Sequence, residues 1–403
     1  MVFEDFGLDP RCLHVLREWD IHTPTPVQAQ AIPIALEGHD LIAVAQTGTG
    51  KTLGYTLPCL TRLAQGKVHS NMMLVLVPTR ELAQQTHEVI NDMGKALGIR
   101  ASLIYGGVGY DKQNRDLKKG CAVVVATPGR LLDHLERGNA HFGELVILVL
   151  DEADRMLDMG FLPDIKRILC KLPNDRQTLM FSATFPDEIS RLAREMLHEP
   201  ERVTVGATHK PVDKVRQVLY TVQVENKSDL LLQLLEGSTV NSTMIFLRTK
   251  ERTERLAHLL KRHKLKAVAI HGDRSQSQRE EALRGFRSGK YSILVATDVA
   301  ARGLDIDGVS HVFNYDIPPT AEDYLHRIGR TARADTDGDA ITFVTPQEYK
   351  ELESIERTLG KSLPRGEWDG SVNVLSLFVP KEQEKKSRPA ANRRGRRGLL
   401  RRR

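Results

Sequence analysis

The chain has 403 residues, of which 40% are hydrophobic and 27% are charged. This balance is typical of globular proteins and excludes a fibrous or largely disordered chain, and the length predicts two domains. No apolar run approaches the roughly 18–20 residues that cross a bilayer, and the acidic N-terminus lacks the basic and apolar regions of a secretory signal. The four cysteines show no paired spacing, so we expect a cytoplasmic protein without a zinc site or a membrane.

The net charge of +6 is unevenly distributed. Residues 381–403 hold eleven Lys and Arg against two Glu, a net charge of +9, so the other 380 residues carry a net charge of −3. A basic tail on a mildly acidic body predicts an arm that binds a polyanion. Because its arginines are clustered, nucleic acid is the favoured partner, and a merely solubilising tail is the alternative.

Short apolar segments alternate with longer amphipathic segments over the first half of the chain. Because continuously apolar strands are typical of sheets buried on both faces, this alternation predicts an α/β domain with a doubly wound parallel sheet. The predicted helices include 52–64 and 81–97, and the predicted strands are 41–44, 73–77, 122–126, 145–150 and 178–181.

A polar interruption that contains Gly206 and Pro211 follows, and the alternation then resumes. We therefore predict a first domain over 1–205, a linker over 206–215, a second α/β domain over 216–363 and a disordered basic tail over 364–403. The predicted strands of the second domain are 217–224, 243–247, 267–270, 292–296, 310–315 and 340–344.

Residues 45–52 read A-Q-T-G-T-G-K-T between a predicted strand and a predicted helix. This is the phosphate-loop pattern with Ala45 in place of the first glycine. Backbone N–H groups of such a loop and the N-terminus of its helix attract phosphate oxygens. The predicted nucleotide-binding residues are Thr47, Gly48, Thr49, Gly50, Lys51 and Thr52, with Lys51 on the β- and γ-phosphates and Thr52 on Mg²⁺. A glycine-rich turn without a ligand is the alternative.

An acidic cluster follows the apolar strand 145–150. Ligands of open α/β sheets bind at the carboxyl ends of strands, where clustered carboxylates favour a cation. We predict that Asp151 holds Mg²⁺ and that Glu152 is the base that activates the attacking water. An ordinary acidic helix start is the alternative, and it accounts poorly for the pairing with a phosphate loop.

With both motifs present, the chain resembles the DEAD-box ATP-dependent RNA helicases of superfamily 2, whose four-letter signature stands at residues 151–154. Further motifs occur in the family's order between about Phe3 and Lys361, and the chain looks closest to bacterial members with a short basic tail. The resemblance implies two RecA-like domains in tandem that close on ATP and Mg²⁺ and bind RNA across both.

The segment 24–28, P-T-P-V-Q, resembles the family's Q motif. The resemblance implies that Gln28 reads the adenine edge and that Phe3 stacks on the adenine ring, with a core aromatic as the alternative for Phe3. The family usually has glycine where Asp20 stands, so we expect an altered turn there.

Several stretches resemble the family's RNA contacts, although turns and helix caps would also account for them singly. In the first domain they are Pro78, Thr79, Arg80, Gly106, Gly107, Thr127, Pro128, Gly129 and Arg130. In the second domain they are Thr249, Gln276, Arg279, Thr297, Arg302 and Gly303.

The segment 326–333 resembles the family's sixth motif, with Ala332 where glycine is usual. Because Arg327 and Arg330 are three residues apart, we expect them to share a helix face, converge on the γ-phosphate and act as arginine fingers. The alternative is a solvated basic face. By resemblance, Asp305 contacts the ribose, and the residues that couple ATP to strand separation are Asp154, Ser182, Thr184 and His326.

The sequence therefore predicts an ATP-dependent RNA helicase that separates short duplexes and hydrolyses ATP. An ATP-gated RNA clamp or chaperone is one alternative, and a DNA-directed helicase of superfamily 2 is another.

Overall fold

The structure is a computed structural model that describes residues 1–46, 48–205, 215–236, 242–301, 306, 308–331 and 338–368. Within these residues the two halves of the chain form two seven-stranded sheets, and every neighbouring pair of strands is parallel. No helix of the described part is long and apolar enough to cross a membrane.

The first sheet has strands β1 (Leu41–Val44), β2 (Met73–Leu76), β3 (Ala101–Ile104), β4 (Val123–Ala126), β5 (Ile147–Leu150), β6 (Gln177–Ser182) and β7 (Glu201–Thr204). Its helices are α1 (Pro10–Glu18), α2 (Pro26–Glu37), α3 (Lys51–Ala64), α4 (Arg80–Leu97), α5 (Tyr110–Lys118), α6 (Pro128–Glu136), α7 (Ala153–Asp158), α8 (Leu162–Leu169) and α9 (Asp187–Met196).

The second sheet has strands β8 (Val215–Thr221), β9 (Thr243–Leu247), β10 (Ala267–Ile270), β11 (Ile293–Thr297), β12 (His311–Asn314), β13 (Gly338–Val344) and β14 (Arg365–Gly366). The described helices of this half are α10 (Lys227–Glu236), α11 (Lys250–Arg262), α12 (Gln276–Arg287), α13 (Asp298–Ala301), α14 (Ala321–Ile328) and α15 (Tyr349–Leu359).

Both sheets have the same strand order. The first is β3-β4-β2-β5-β6-β1-β7 and the second is β10-β11-β9-β12-β13-β8-β14, so each strand of one sheet has a counterpart in the other. Because all strands are parallel, the loops that leave their carboxyl ends gather along one edge of each sheet, which we call the rim. Every loop that the sequence analysis assigned to chemistry in the first domain, except the Q motif, leaves a strand at that rim.

The first sheet is buried on both faces, as its continuously apolar strands predict. Val149 packs into the core on one face, and its neighbours Leu148 and Leu150 pack into the core on the other. All three side chains are fully buried. The strands thus form a rigid support from which the rim loops project.

Threonines set where several rim helices begin. The Thr79 hydroxyl accepts a hydrogen bond from the Leu82 N–H at 3.3 Å, and the Thr249 hydroxyl accepts one from the Arg252 N–H at 3.3 Å. Each threonine is the N-cap of the helix that follows its strand, where a side-chain oxygen satisfies an N–H that the helix leaves unpaired.

The strands differ from the predicted ones mainly at the sheet edges. The edge strands β3 and β7 were not predicted, because their apolar runs are interrupted: β3 has two buried side chains and β7 has one. The described part of the chain continues past residue 363, the predicted end of the second domain. β14 pairs with β8 as the last strand of the sheet, and the Trp368 indole donates to Gln233 at 2.7 Å, so the second domain includes residues to 368.

Candidate active site

The loop between β1 and α3 curls back over the start of α3. Gly50 adopts φ 85°, and a Cβ at this position would collide with the Gln28 side-chain amide, so only glycine fits. The Thr25 hydroxyl donates to the Thr49 carbonyl at 2.7 Å and the Gln28 amide donates to the Gly50 carbonyl at 2.9 Å. The Q motif therefore fixes the loop in the shape that cradles phosphate.

Lys51 is the first residue of α3 and is 5% exposed. Its ammonium has no hydrogen-bond partner among the described residues. A buried cation without a hydrogen bond is unfavourable unless an anion joins it. This position at a helix N-terminus, inside a curled loop, is chemically matched to a phosphate group.

Asp151 lies at the carboxyl end of β5 and is 2% exposed. Its carboxylate accepts hydrogen bonds from the Tyr55 hydroxyl at 3.0 Å and from the Glu152 N–H at 2.9 Å. Burial raises the pKa of Asp151 to about 6, although the nearby Lys51 ammonium opposes this shift. Thr52, the other predicted Mg²⁺ ligand, is the second residue of α3, on the loop side of the same cleft.

These residues fit a magnesium ion bound together with a nucleotide. No group of three or more His, Cys, Asp or Glu in the described part of the chain could form a metal cage. Mg²⁺ seldom uses such a cage, because it commonly binds one or two carboxylates together with substrate phosphates. The buried carboxylate of Asp151 beside Thr52 supplies that minimal set.

Glu152 adopts the left-handed conformation with φ 54°, which is unfavourable for a residue with a side chain. Its carboxylate accepts a hydrogen bond from the Arg155 guanidinium at 2.9 Å, and both side chains are almost fully buried. The strained backbone aims Glu152 away from the ordinary direction of a helix start. Such strain is concentrated at functional sites.

Asp154 ties α7 to the end of β6. Its carboxylate accepts hydrogen bonds from the Ala183 N–H at 3.0 Å, the Thr184 N–H at 2.7 Å and the Thr184 hydroxyl at 3.0 Å. The Ser182 hydroxyl in turn accepts the Asp154 N–H at 3.1 Å. The structure thus brings together the three first-domain coupling residues that the sequence predicted.

Helix α14 of the second domain faces this network. Burial, together with the nearby charges of Asp158 and Asp154, raises the pKa of Glu322. Burial, reinforced by the Arg155 guanidinium, lowers the pKa of His326 to about 4. The predicted coupling residue His326 therefore lies at the junction of the two domains, next to the residues that surround Glu152.

Arg327 is not placed as predicted. The expectation that Arg327 and Arg330 share a helix face is wrong, because α14 ends two residues before Arg330. The Arg327 guanidinium forms two hydrogen bonds with Asp298, at 2.6 and 2.7 Å, and one with the Asp316 carbonyl at 2.7 Å. It also bonds Asn314 at 3.2 Å, so Arg327 is a buried structural cation of the second domain. Arg330 is also buried.

The first-domain rim gathers all three predicted RNA-contact stretches, because β3, β4 and β2 are neighbours. The Arg80 guanidinium lies against Gly106 and Gly107, and a Cβ on Gly107 would collide with it. Arg130 donates two hydrogen bonds to the Val108 carbonyl at 3.0 Å each, so it also supports this loop. Pro128 begins α6, and its neighbour Gly129 lies in the first turn of that helix.

The second-domain rim places Thr249, Gln276 and Thr297 after the neighbouring strands β9, β10 and β11. Arg279, which the sequence predicts as an RNA contact, lies at the junction of the two domains. Its guanidinium lies 2.8 Å from the Glu81 carboxylate of the first domain, and the two side chains are 12% and 4% exposed. Arg279 therefore joins the two domains in this structure.

Comparison with known proteins decides the family. The family model described as DEAD/DEAH box helicase matches residues 25–192, and the helicase conserved C-terminal domain matches residues 226–335. The chain is 45% identical over 363 residues to the DEAD-box ATP-dependent RNA helicase CshA of Geobacillus kaustophilus, an alignment that covers 90% of this chain and 78% of that protein. The chain belongs to the DEAD-box ATP-dependent RNA helicases.

Two further comparisons agree with this family. The ATP-dependent RNA helicase CshA of Listeria monocytogenes is 44% identical, with 95% of this chain and 74% of that protein covered. The solved structure of S. cerevisiae Dbp5 bound to RNA and ADP BeF3 superposes with a TM-score of 0.82 at 33% identity, and it covers 93% of this chain and 98% of that one. The predicted tandem of RecA-like domains and the predicted helicase class are confirmed.

In this structure the Q motif of the DEAD-box helicase binds the phosphate loop, and its glutamine is not free to bind adenine. The Gln28 amide oxygen accepts the Thr25 N–H at 2.9 Å while its nitrogen donates to Gly50, so both ends have partners. Phe3 is 2% exposed and packs against Phe6 within the core, which favours the core alternative for Phe3. Asp20 adopts φ 57°, so the turn does need the conformation that the family's glycine provides.

Four predicted site residues lie outside the described part of the chain: Thr47, Arg302, Gly303 and Asp305. Three other site residues were missed by sequence reasoning. These are Tyr55, Arg155 and Glu322, which lie inside helices and follow no short motif. Only the bonds of Tyr55 to Asp151 and of Arg155 to Glu152, and the position of Glu322 near the Asp154 charge, identify them.

Proposed function

We propose that this helicase hydrolyses ATP with Mg²⁺ in the cleft between its two domains, and that the cycle grips and releases RNA at the rims. One observation carries the proposal: the buried Lys51 ammonium lies beside the phosphate loop without a hydrogen bond from the described residues. A nucleotide phosphate satisfies that charge better than any other common ligand, because the loop and the N-terminus of α3 converge on the same point.

Each residue of the cleft has a chemical role in this proposal. Thr52 and Asp151 hold Mg²⁺, which neutralises phosphate charge and orients the γ-phosphate when it is bound. Glu152 accepts the proton of the attacking water, and Arg155 holds the Glu152 carboxylate in place by its hydrogen bond until then. Gln28 and Asp305 recognise the nucleoside, and Gln28 must first exchange its bond to Gly50 for the base.

The second domain completes the cleft. Arg330 is the arginine we assign to the transferring phosphoryl, because Arg327 is already engaged by Asp298 within its own domain. Asp154, Ser182, Thr184 and His326 report closure, since the first three form one hydrogen-bonded set and His326 of the second domain lies close enough for the Asp154 charge to act on its pKa. Binding of ATP and of RNA is then positively and reciprocally coupled, because each favours the closed form.

RNA binds the two rims mainly through its phosphates. Threonine hydroxyls, N–H groups at helix starts and arginines suit phosphate oxygens and carry little sequence information. We therefore propose binding with little sequence preference, through the residues of both rims together with Arg302 and Gly303. We also propose 1–205 and 215–368 as the two domains, a basic RNA-tethering tail after them, and a cytoplasmic location.

The test separates the phosphate-binding residue from the proposed base. Lys51→Ala should weaken nucleotide affinity itself. Glu152→Gln should retain ATP and RNA binding but lose turnover, which would leave a long-lived complex. Near-normal turnover in Glu152→Gln would reject Glu152 as the base.

The nucleic acid is tested by ATPase stimulation. RNA should stimulate hydrolysis more than DNA of the same sequence, because the 2′-hydroxyl is what distinguishes the two. Equal stimulation would favour a DNA-directed enzyme. Normal RNA-stimulated turnover without separation of a short duplex would favour an ATP-gated clamp.

A further inference from the structure

Two neighbouring loops of the second domain carry an exposed cluster of basic side chains, which we call the basal patch. One loop runs from the end of α11 to β10, and the other runs from the end of α12 to β11. The Ser292 and Ile293 N–H groups donate to the Lys266 carbonyl at 2.9 and 3.1 Å and hold the two loops together. All members of the patch are exposed: Lys261, Arg262, Lys264, Lys266, Arg284, Arg287 and Lys290.

The basal patch lies at the opposite end of the strands from the rim. β10 and β11 begin directly after the two loops, whereas Gln276 and Thr297 lie where these strands end or beyond. Four or five strand residues separate the two edges by roughly 13–17 Å. The patch is therefore distinct from the proposed RNA contacts of the rim.

The concentration of charge is unfavourable for the fold by itself. Neither 261–266 nor 284–290 contains an Asp or Glu, although residues 1–380 as a whole carry a net negative charge. Like charges in adjacent loops repel one another, which destabilises the folded state. The nearest pairing in the sequence, Lys290 with Glu281 at 3.6 Å, joins two side chains that are more than half exposed and contributes little.

Lys264 adds a second unfavourable feature. It adopts φ 62° after the end of α11, where glycine is normally preferred. The first domain provides an internal comparison, because α4 leads into β3 as α11 leads into β10. There the same position is Gly98 with φ 72°. The second domain thus keeps a lysine where the backbone favours glycine.

Helix-end chemistry explains only part of the patch. Basic residues in a last helical turn interact favourably with the helix dipole, which accounts for Lys261 and Arg262 in α11 and for Arg284 and Arg287 in α12. Lys264, Lys266 and Lys290 lie beyond those turns. The Lys290 ammonium lies 5.2 Å from the centre of the Tyr291 ring as well as near Glu281, whereas Lys264 and Lys266 form no ion pair with the described residues.

We propose that the basal patch binds the phosphate backbone of RNA that extends beyond the segment held at the rims. Exposed lysines and arginines match a polyanion of regular charge, and they bind it without reading its sequence. This inference rests on the proposed RNA binding at the rims. The patch would keep the enzyme on a structured or long RNA while the rims release their segment.

The experiment compares RNA of about 10 nucleotides, within the usual site size for single strands, with RNA about four times as long. The test variant is the full chain with Lys261→Gln, Lys264→Gln and Lys266→Gln. The matched control has the same change of charge at three exposed lysines elsewhere, Lys67→Gln, Lys171→Gln and Lys350→Gln. Affinity for each RNA is measured over a series of salt concentrations.

The test variant should lose affinity for the long RNA, and its slope of log K against log salt should be flatter by about 2, since each phosphate contact contributes about 0.7. Its affinity for the short RNA and its ATPase rate at saturating short RNA should match those of the control. A long-RNA slope equal to that of the control would overturn the proposal. Failure of short RNA to stimulate the unaltered protein would instead reject the proposed function.

Lys264→Gly gives an independent test in which stability and binding move in opposite directions. Relief of the left-handed backbone should raise the melting temperature by about 2 °C, while loss of the charge should weaken binding of the long RNA. Weaker RNA binding therefore could not be blamed on misfolding. A Lys264→Gly protein that binds long RNA as tightly as the unaltered chain at low salt would count against Lys264 as a contact.

Discussion

The ion pair between Arg279 and Glu81 should control domain closure rather than RNA contact. Arg279 lies in α12 of the second domain and Glu81 in α4 of the first, with 2.8 Å between their charged groups. A neighbouring bond from Gln84 to Glu280, at 2.8 Å, crosses the same junction. We expect Arg279→Met and Glu81→Gln each to weaken the closed form.

The magnitude follows from burial. Only 12% of the Arg279 side chain and 4% of the Glu81 side chain are exposed, and burial lowers the pKa of Arg279 although Glu81 opposes the shift. Removal of one partner from a buried pair costs about 3 kcal/mol, because the other charge stays buried without compensation. In an open form both groups regain water, so the penalty falls on closure and corresponds to a factor of about 100.

The assay is RNA affinity measured with and without a non-hydrolysable ATP analogue. The ratio of the two affinities reports the coupling free energy, and we expect each single variant to reduce that ratio by about 100-fold. The double variant should recover part of the loss, because it leaves no unpaired charge. Lys95→Met is the control, since Lys95 pairs with Asp92 at 2.6 Å on the exposed surface and should change little.

The result that would refute this reasoning is specific. If Arg279 contacted RNA directly, Arg279→Met would weaken RNA binding without nucleotide as well, and Glu81→Gln would not reproduce that effect. Additive losses in the double variant would likewise show that the two side chains act independently.

Three other predictions use the same preparations. Arg327→Ala should lower the melting temperature, because the half-buried Asp298 would lose both hydrogen bonds of its partner. Arg330→Ala should instead retain ATP binding but lower RNA-stimulated hydrolysis by about 10³. The opposite pattern in thermal melts and ATPase assays would restore Arg327 as the finger. His326 has a pKa of about 4 when buried beside Arg155, Asp154, Arg330 and Asp323. In the open form His326 therefore takes up a proton as the pH falls below about 6.5, whereas in the closed form it stays neutral down to about pH 4. The equilibrium constant for closure should fall by up to tenfold per pH unit over this range. His326→Gln should remove this pH dependence from the ratio of RNA affinities with and without nucleotide. Removal of residues 381–403 should make the slope of log K against log salt flatter by about 0.7 for each phosphate contact that is lost. ATP turnover at saturating RNA should stay unchanged. An unaltered slope would favour a solubilising tail.

The sequence determined the fold class and the location of the nucleotide site. Continuously apolar strands and their alternation with helices are local patterns. They were sufficient to predict the parallel sheets, because a sheet that is buried on both faces needs apolar side chains at every strand position. The phosphate loop and Asp151 were also readable, since their chemistry depends on residues close together in the chain. The short edge strands β3, β7 and β14 were not, because so few of their side chains are buried.

The tertiary structure decided which charged groups face each other. Sequence spacing suggested that Arg327 and Arg330 act together. The helix ends between these two residues, however, and Arg327 pairs with Asp298, which is distant in the sequence. The sequence motif around Arg279 predicts an RNA contact, whereas the fold places Glu81 of the other domain beside its guanidinium. Residue spacing predicts which side chains are neighbours on one helix. The partner of a buried charge depends instead on how separate helices and strands pack together, and local sequence patterns do not show that.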